Sequence, residues 1–171
     1  MLQLSDFLVN RQVLSLRAGS PVAIAQQPII NPNNLTVEGF YCVELAEKKP
    51  LILLCQDIRE ILRDGFVVDD VERLVETNDL VRLKDVIELR FELIGKPVVT
   101  VDKEKVGKIS DYAVETNTMS IQKLYAAQSI LRNFTGGSLS IDRNQVQEIT
   151  PRRIVISELL KGTPATAPTV A

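Results

Sequence analysis

The 171-residue chain has no histidine, no tryptophan and only two cysteines. Without imidazole there is no histidine triad, no histidine general base and no Cys/His zinc site. Cys42 and Cys55 are too few for a disulfide scaffold and do not form a Cys-x-x-Cys pair. Both stand among apolar residues and read as buried free thiols, a disulfide between paired strands staying open for an oxidising compartment. Aromatic residues make up 5% of the chain, so the core must rest on Ile, Val and Leu, types suited to strands. Charge of one sign is also missing: 20 basic residues face 22 acidic ones, net -2. That leaves no electrostatic footprint for direct nucleic-acid or anionic-lipid binding. No apolar run approaches membrane-spanning length, residues 50–55 being a strand's worth, so no integral membrane segment is expected. The start, Met1-Leu2-Gln3-Leu4-Ser5-Asp6, lacks the basic region of a signal peptide. These features point to a soluble, cytoplasmic protein.

What is present is a repeat with a period of about 85 residues, which suggests two domains rather than a solenoid. Leu8 and Val9 correspond to Leu93 and Ile94, Val13 to Val98, and Ile24 to Ile109. After one residue of slippage Leu35 matches Met119, Val37 matches Ile121 and Tyr41 matches Tyr125. Further on, Ile58-Arg59-Glu60-Ile61 faces Val146-Gln147-Glu148-Ile149, and Phe66-Val67-Val68 faces Ile154-Val155-Ile156.

The second copy predicts a strand over 97–101, a charged turn at 102–105 and a second, irregular strand carrying Ile109, Tyr112 and Val114. A turn at 116–118, a strand to Tyr125, a helical turn over 128–134 closed by Gly136-Gly137, and strands over 138–142 and 153–156 follow. In the first copy Pro28 and Pro32 interrupt the backbone, and Arg63-Asp64-Gly65 makes a turn. The expected class is mainly β, two tandem small, highly bent barrels: residues 1–69, a helical connector over 70–90, residues 91–160, and a mobile tail over 161–171. Val71, Leu74 and Val75, then Leu80, Leu83, Val86 and Ile87, stand near helical spacing in the connector.

The second copy carries Leu93-Ile94-Gly95-Lys96-Pro97-Val98-Val99, then Val106-Gly107-Lys108-Ile109-Ser110-Asp111, and closes with Ile141-Asp142-Arg143-Asn144-Gln145-Val146-Gln147-Glu148-Ile149 and Arg153-Ile154-Val155-Ile156. This framework resembles the PRC-barrel family, named for the cytoplasmic domain of the photosynthetic reaction-centre H subunit. In the first copy Asp57-Ile58-Arg59-Glu60-Ile61 and Gly65-Phe66-Val67-Val68 resemble the closing part, while Ala23 stands near the place of Gly107. The resemblance implies a small bent barrel used as an interaction module. One relative architecture is the carboxy-terminal domain of a ribosome-maturation factor, which binds a small-subunit ribosomal protein. Two functions are therefore carried forward: a non-catalytic protein-interaction or scaffold module, and a ribosome-maturation or RNA-processing accessory factor with a ribosomal protein as partner.

No pattern of catalytic, cofactor-binding or metal-ligating residues emerges. Asp69-Asp70, Asp57 with Glu60, and residues 102–105 read as turn and surface charges without calcium-loop spacing. Gly136-Gly137 lacks the lysine and glycine span of a phosphate loop. Arg152-Arg153 and residues 90–96 add local positive charge without a basic track. The candidate interface is Ile130, Leu131 and Phe134, ahead of the double glycine, where the first copy has no comparable insertion. These side chains either cover their own barrel or meet a protein partner.

Overall fold

A computed structural model describes residues 1–128 and 137–157 of the chain. In chain order the strands are β1 (Leu2–Leu4), β2 (Arg11–Ser15), β3 (Ser20–Asn31), β4 (Thr36–Glu44), β5 (Pro50–Leu54), β6 (Glu60–Ile61) and β7 (Gly65–Val68). A short helix α1 (Lys84–Leu89) precedes β8 (Pro97–Thr100), β9 (Lys105–Glu115), β10 (Ser120–Ala127), β11 (Ser138–Asp142), β12 (Val146–Ile149) and β13 (Ile154–Ile156). The protein is mainly β and divides into two compact units. The N-terminal unit holds Ser5–Asn31 and Thr36–Phe91; the C-terminal unit holds Met1–Leu4, Pro32–Leu35 and the chain from Glu92 onward.

The N-terminal unit is a curled, open sheet in the order β5-β4-β3-β2-β7-β6. All neighbours are antiparallel except β2 and β7, where Val13 lies beside Phe66 in parallel register. Shifts of register between Val13 and Leu14, Ala25 and Gln27, and Ile29 and Ile30 supply the bend, since each extra residue sharpens the local twist. Phe40 and Phe66, both fully buried, meet with ring centroids 4.5 Å apart. Each contributes about 1.5–3 kcal/mol by leaving water.

Pro28 does not interrupt this sheet. It pairs with Phe40, whose own backbone bonds run towards β5, so the missing Pro28 donor falls on the side away from β4. On that side β2 covers only Ser20 to Ala25, and no ladder bond is lost.

Residues 70–91 pack as part of the N-terminal unit. Val71–Arg73 and Thr77–Asp79 are single 3-10 turns, and only Lys84–Leu89 is α-helical. Helical spacing at Val71, Leu74 and Val75 does not become a helix, because the Val75 backbone is engaged in a β-bridge: its N–H donates to the Ile52 carbonyl at 2.9 Å, and its carbonyl accepts from the Ile52 N–H at 2.8 Å. Helix α1 lacks a side-chain N-cap and stops at Arg90, a left-handed residue with φ 44°. Its buried Val86 and Ile87 join Ile29 and Ile52, with Val75, Leu80 and Leu83 around them.

The C-terminal unit is also a curled, open sheet, in the order β11-β10-β9-β8-β13-β12, with β1 added to β9 beside Ala113 to Glu115. This is the N-terminal order strand for strand. Again one neighbour is parallel, β8 with β13, where Val98 lies beside Ile154. The three bulges also recur: between Val98 and Val99, between Ile109 and Asp111, and between Ala113 and Val114.

Equivalence by pairing refines the repeat. Val13 with Ala23 matches Val98 with Gly107, and Pro28 with Phe40 matches Tyr112 with Leu124. Ile109 is thus the counterpart of Ala25, not of Ile24. The one-residue slip falls in the first turn, where residues 16–19 separate the pair Ser15 and Ser20 but only residues 101–103 separate Thr100 and Glu104. Left-handed Gly19 (φ 66°) and Lys103 (φ 65°) sit at the ends of these two turns. The β3–β4 and β9–β10 turns each end on a buried left-handed residue, Leu35 (φ 52°) and Met119 (φ 53°).

Candidate functional site

Ile130, Leu131 and Phe134 lie outside the described residues. Their place in the chain is nonetheless the largest difference between the copies. Six residues separate the paired Val43 and Pro50, against ten between Ala127 and Ser138. The described residues next to that difference are those of β11, an end strand of its sheet.

The register of β10 with β11 repeats that of β4 with β5. Tyr125 opposes Ser140 as Tyr41 opposes Ile52, and Leu124 opposes Ile141 as Phe40 opposes Leu53. The phase of hydrogen bonding is set just beyond each strand end. Glu44 N–H donates to Lys49 carbonyl at 2.9 Å, and Gln128 N–H to Gly137 carbonyl at 3.3 Å. Counting inward by twos, the bonded pairs are Cys42 with Leu51 and Ala126 with Leu139. The outward-facing backbone groups are then those of Ile52 in one copy and of Ser138 and Ser140 in the other. The Asp142 N–H is taken by the Gln145 side chain at 2.8 Å, within a capping box that starts the 3-10 turn Arg143–Gln145.

Arg143 holds this end of the C-terminal unit together. Its guanidinium donates to the carbonyls of Leu35 and Ile121, both at 3.1 Å, and to that of Asn34. The Ile121 N–H in turn donates to Leu35 carbonyl at 2.8 Å. In the N-terminal copy the counterpart of Arg143 is Cys55, whose thiol donates to the Val37 carbonyl at 3.2 Å, Val37 being the counterpart of Ile121. A cation and a thiol thus serve the same acceptor position.

The two thiols and the Asp69-Asp70 pair have structural partners. Cys42 and Cys55 are free thiols, and burial pushes both up to about 12, so neither is a thiolate at neutral pH. Asp69 is held below its ordinary value by its hydrogen bond from Arg59, at 2.8 and 3.1 Å, with Arg73 at 3.7 Å. Asp70 is lowered first by the Val71 N–H at 2.7 Å, and also pairs with Arg17 at 3.1 Å. Both carboxylates therefore anchor the turn after β7. Among the described residues no group of three or more His, Cys, Asp or Glu side chains is gathered as for a metal ion, and no helix is long and apolar enough to cross a membrane.

Exposed apolar side chains occur at matching places in the two copies: Val9 and Ile94 just ahead of the first strand, Leu16 and Val101 just after it. Exposed apolar side chains are a common condition of protein surfaces.

The chain matches no protein-family model and no curated protein sequence. Sequence reasoning located the long insertion but missed the adjoining β11 edge. Its signal was Ser138 and Ser140 standing where the first copy has Pro50 and Ile52, a polar edge in place of an apolar one.

Proposed function

We propose that the chain is a non-catalytic protein-interaction module made of two PRC-like units. The observation that carries this reading is the duplicated topology, with the same strand order, parallel pair and bulges in each unit. Its shared positions pack the core, and the largest difference in length between paired strands falls at the insertion beside β11. Protonated, hydrogen-bonded thiols and arginine-paired aspartates support the non-catalytic part. The family resemblance of 93–99, 106–111 and 141–156 supports the interaction part. In this reading Ile130, Leu131 and Phe134 belong to the partner surface.

The test is affinity capture of the tagged full-length chain at native level, with quantitative mass spectrometry. The comparison is an I130A/L131A/F134A variant shown to keep its circular-dichroism spectrum. The expected result is one stoichiometric protein partner, reduced in the variant. A ribosomal particle as that partner would move the chain to the ribosome-maturation reading. No specific protein under native or cross-linked conditions would overturn the interaction reading itself.

A further inference from the structure

We infer that the outward edge of β11 receives an extended segment of a partner protein, antiparallel to β11 and centred on Ser140. This rests on the interaction-module reading and names the mode of binding, strand addition.

The fold itself shows the occupied form. In the N-terminal unit the equivalent edge, β5, is met at Ile52 by Val75, an extended residue between two 3-10 turns, through reciprocal backbone bonds. The C-terminal unit reproduces the β4–β5 register pair for pair, so the Ser140 N–H and carbonyl point away from β10 as those of Ile52 point away from β4. Among the described residues β11 pairs with β10 alone. A strand edge without a neighbour among the described residues is a template for another strand.

The substitutions between the two edges describe the occupant. Pro50 offers no donor, whereas Ser138 adds an N–H, so the receiving stretch is longer towards the start of β11. Towards its end the Asp142 N–H is already used, which sets the limit of the ladder. The pleat places Ser138 and Ser140 on one face and Leu139 and Ile141 on the other. Ile141 is fully buried and Leu139 half-buried. The incoming segment is therefore extended and alternating, polar over Ser140 and apolar beside Leu139. A second copy of the chain suits the edge less well. Pairing β11 with itself gives a five-residue ladder, a small part of the roughly 1,200 Å² that a stable pair needs.

The probe is a synthetic peptide of residues 71–79, which carries the Val75 that bridges the sister edge, titrated into the full-length 15N-labelled protein. Saturable shifts are expected at the Ser140, Leu139 and Ile141 amides, with Ser140 hydrogen exchange slowed at least tenfold. The same peptide N-methylated at the position of Val75 should have no effect. S140P removes the outward donor without touching the β10 ladder. It should keep the Leu139 and Ile141 amides protected and lose the response; should it unfold, the N-methylated peptide remains the control. A Ser140 amide already protected in the free chain, no shift at millimolar peptide, or shifts confined to Ile52 and its neighbours would overturn the inference. In the capture experiment, S140P with an undiminished partner rejects this edge and leaves the module reading standing. A wild-type chain that captures nothing rejects the module reading instead.

Discussion

Ser15 and Thr100 end equivalent strands with their side chains turned inward, 3% and 4% exposed, in a core otherwise lined by apolar residues. Each hydroxyl accepts a backbone N–H of the turn that follows, from Ala18 at 3.0 Å and from Glu104 at 3.2 Å. Each copy therefore places an aliphatic hydroxyl at this core position, and that hydroxyl holds the first turn. Replacing it with an apolar group of similar shape should leave a backbone donor unpaired. T100V is expected to cost about 1–2 kcal/mol in urea unfolding, and T100S to recover most of it. An unchanged midpoint for T100V would show that the turn does not depend on the bond.

Gly107 and Ala23 occupy matching positions yet should respond oppositely to one methyl group. A Cβ on Gly107 would lie 2.1 Å from the Ala127 carbonyl oxygen, a backbone atom that cannot move alone. G107A should therefore destabilise by about 2 kcal/mol or more. Ala23 already carries its Cβ in a fully buried place, and A23G should cost about 1 kcal/mol. Equal effects of the two substitutions in thermal unfolding would contradict the assigned register.

The repeat was legible where each copy has one apolar residue per core position. Val13 with Val98, Leu35 with Met119, and Phe66 with Ile154 all occupy equivalent places. Ile24 was matched one residue out, because apolar identity at Ile109 outweighed a turn one residue shorter. The bridge of Val75 to Ile52 was hidden, since helical spacing in 71–87 does not reveal a backbone committed elsewhere. The addition of β1 to β9 joins residues more than a hundred positions apart and carries no local signal.

Arg143 should behave as a structural cation. Its bonds to the Leu35, Ile121 and Asn34 carbonyls make R143A cost about 1.5–3 kcal/mol. R143K retains the charge but not the planar fork, and should recover only part of the loss. Full recovery by lysine in denaturant titrations would show that charge alone matters.

The thiols give a pH dependence with a definite sign. Burial raises Cys42 and Cys55 to about 12, so the folded state keeps protons that the unfolded state releases above about 9. Stability attached to these groups is complete below the unfolded value and declines as pH rises through the interval from about 9 to about 12. C42A/C55A should flatten that decline relative to the wild-type chain, whatever its effect at neutral pH. Native thiols should also react with an alkylating reagent far more slowly than unfolded ones at pH 8. Rapid native labelling of Cys42 would contradict its protonated, buried state.

The two-copy architecture rests most directly on the parallel pair in each sheet, β2 with β7 and β8 with β13. Leu16 N–H donates to Val68 carbonyl, and Val101 N–H to Ile156 carbonyl, both at 3.0 Å and at matching places. Scalar couplings across hydrogen bonds, measured on the full-length labelled protein, read these contacts one by one. Couplings from Leu16 to Val68 and from Val101 to Ile156 are the predicted result. Loss of either one, with couplings from neighbouring antiparallel pairs intact, would contradict the claim that both units share one topology.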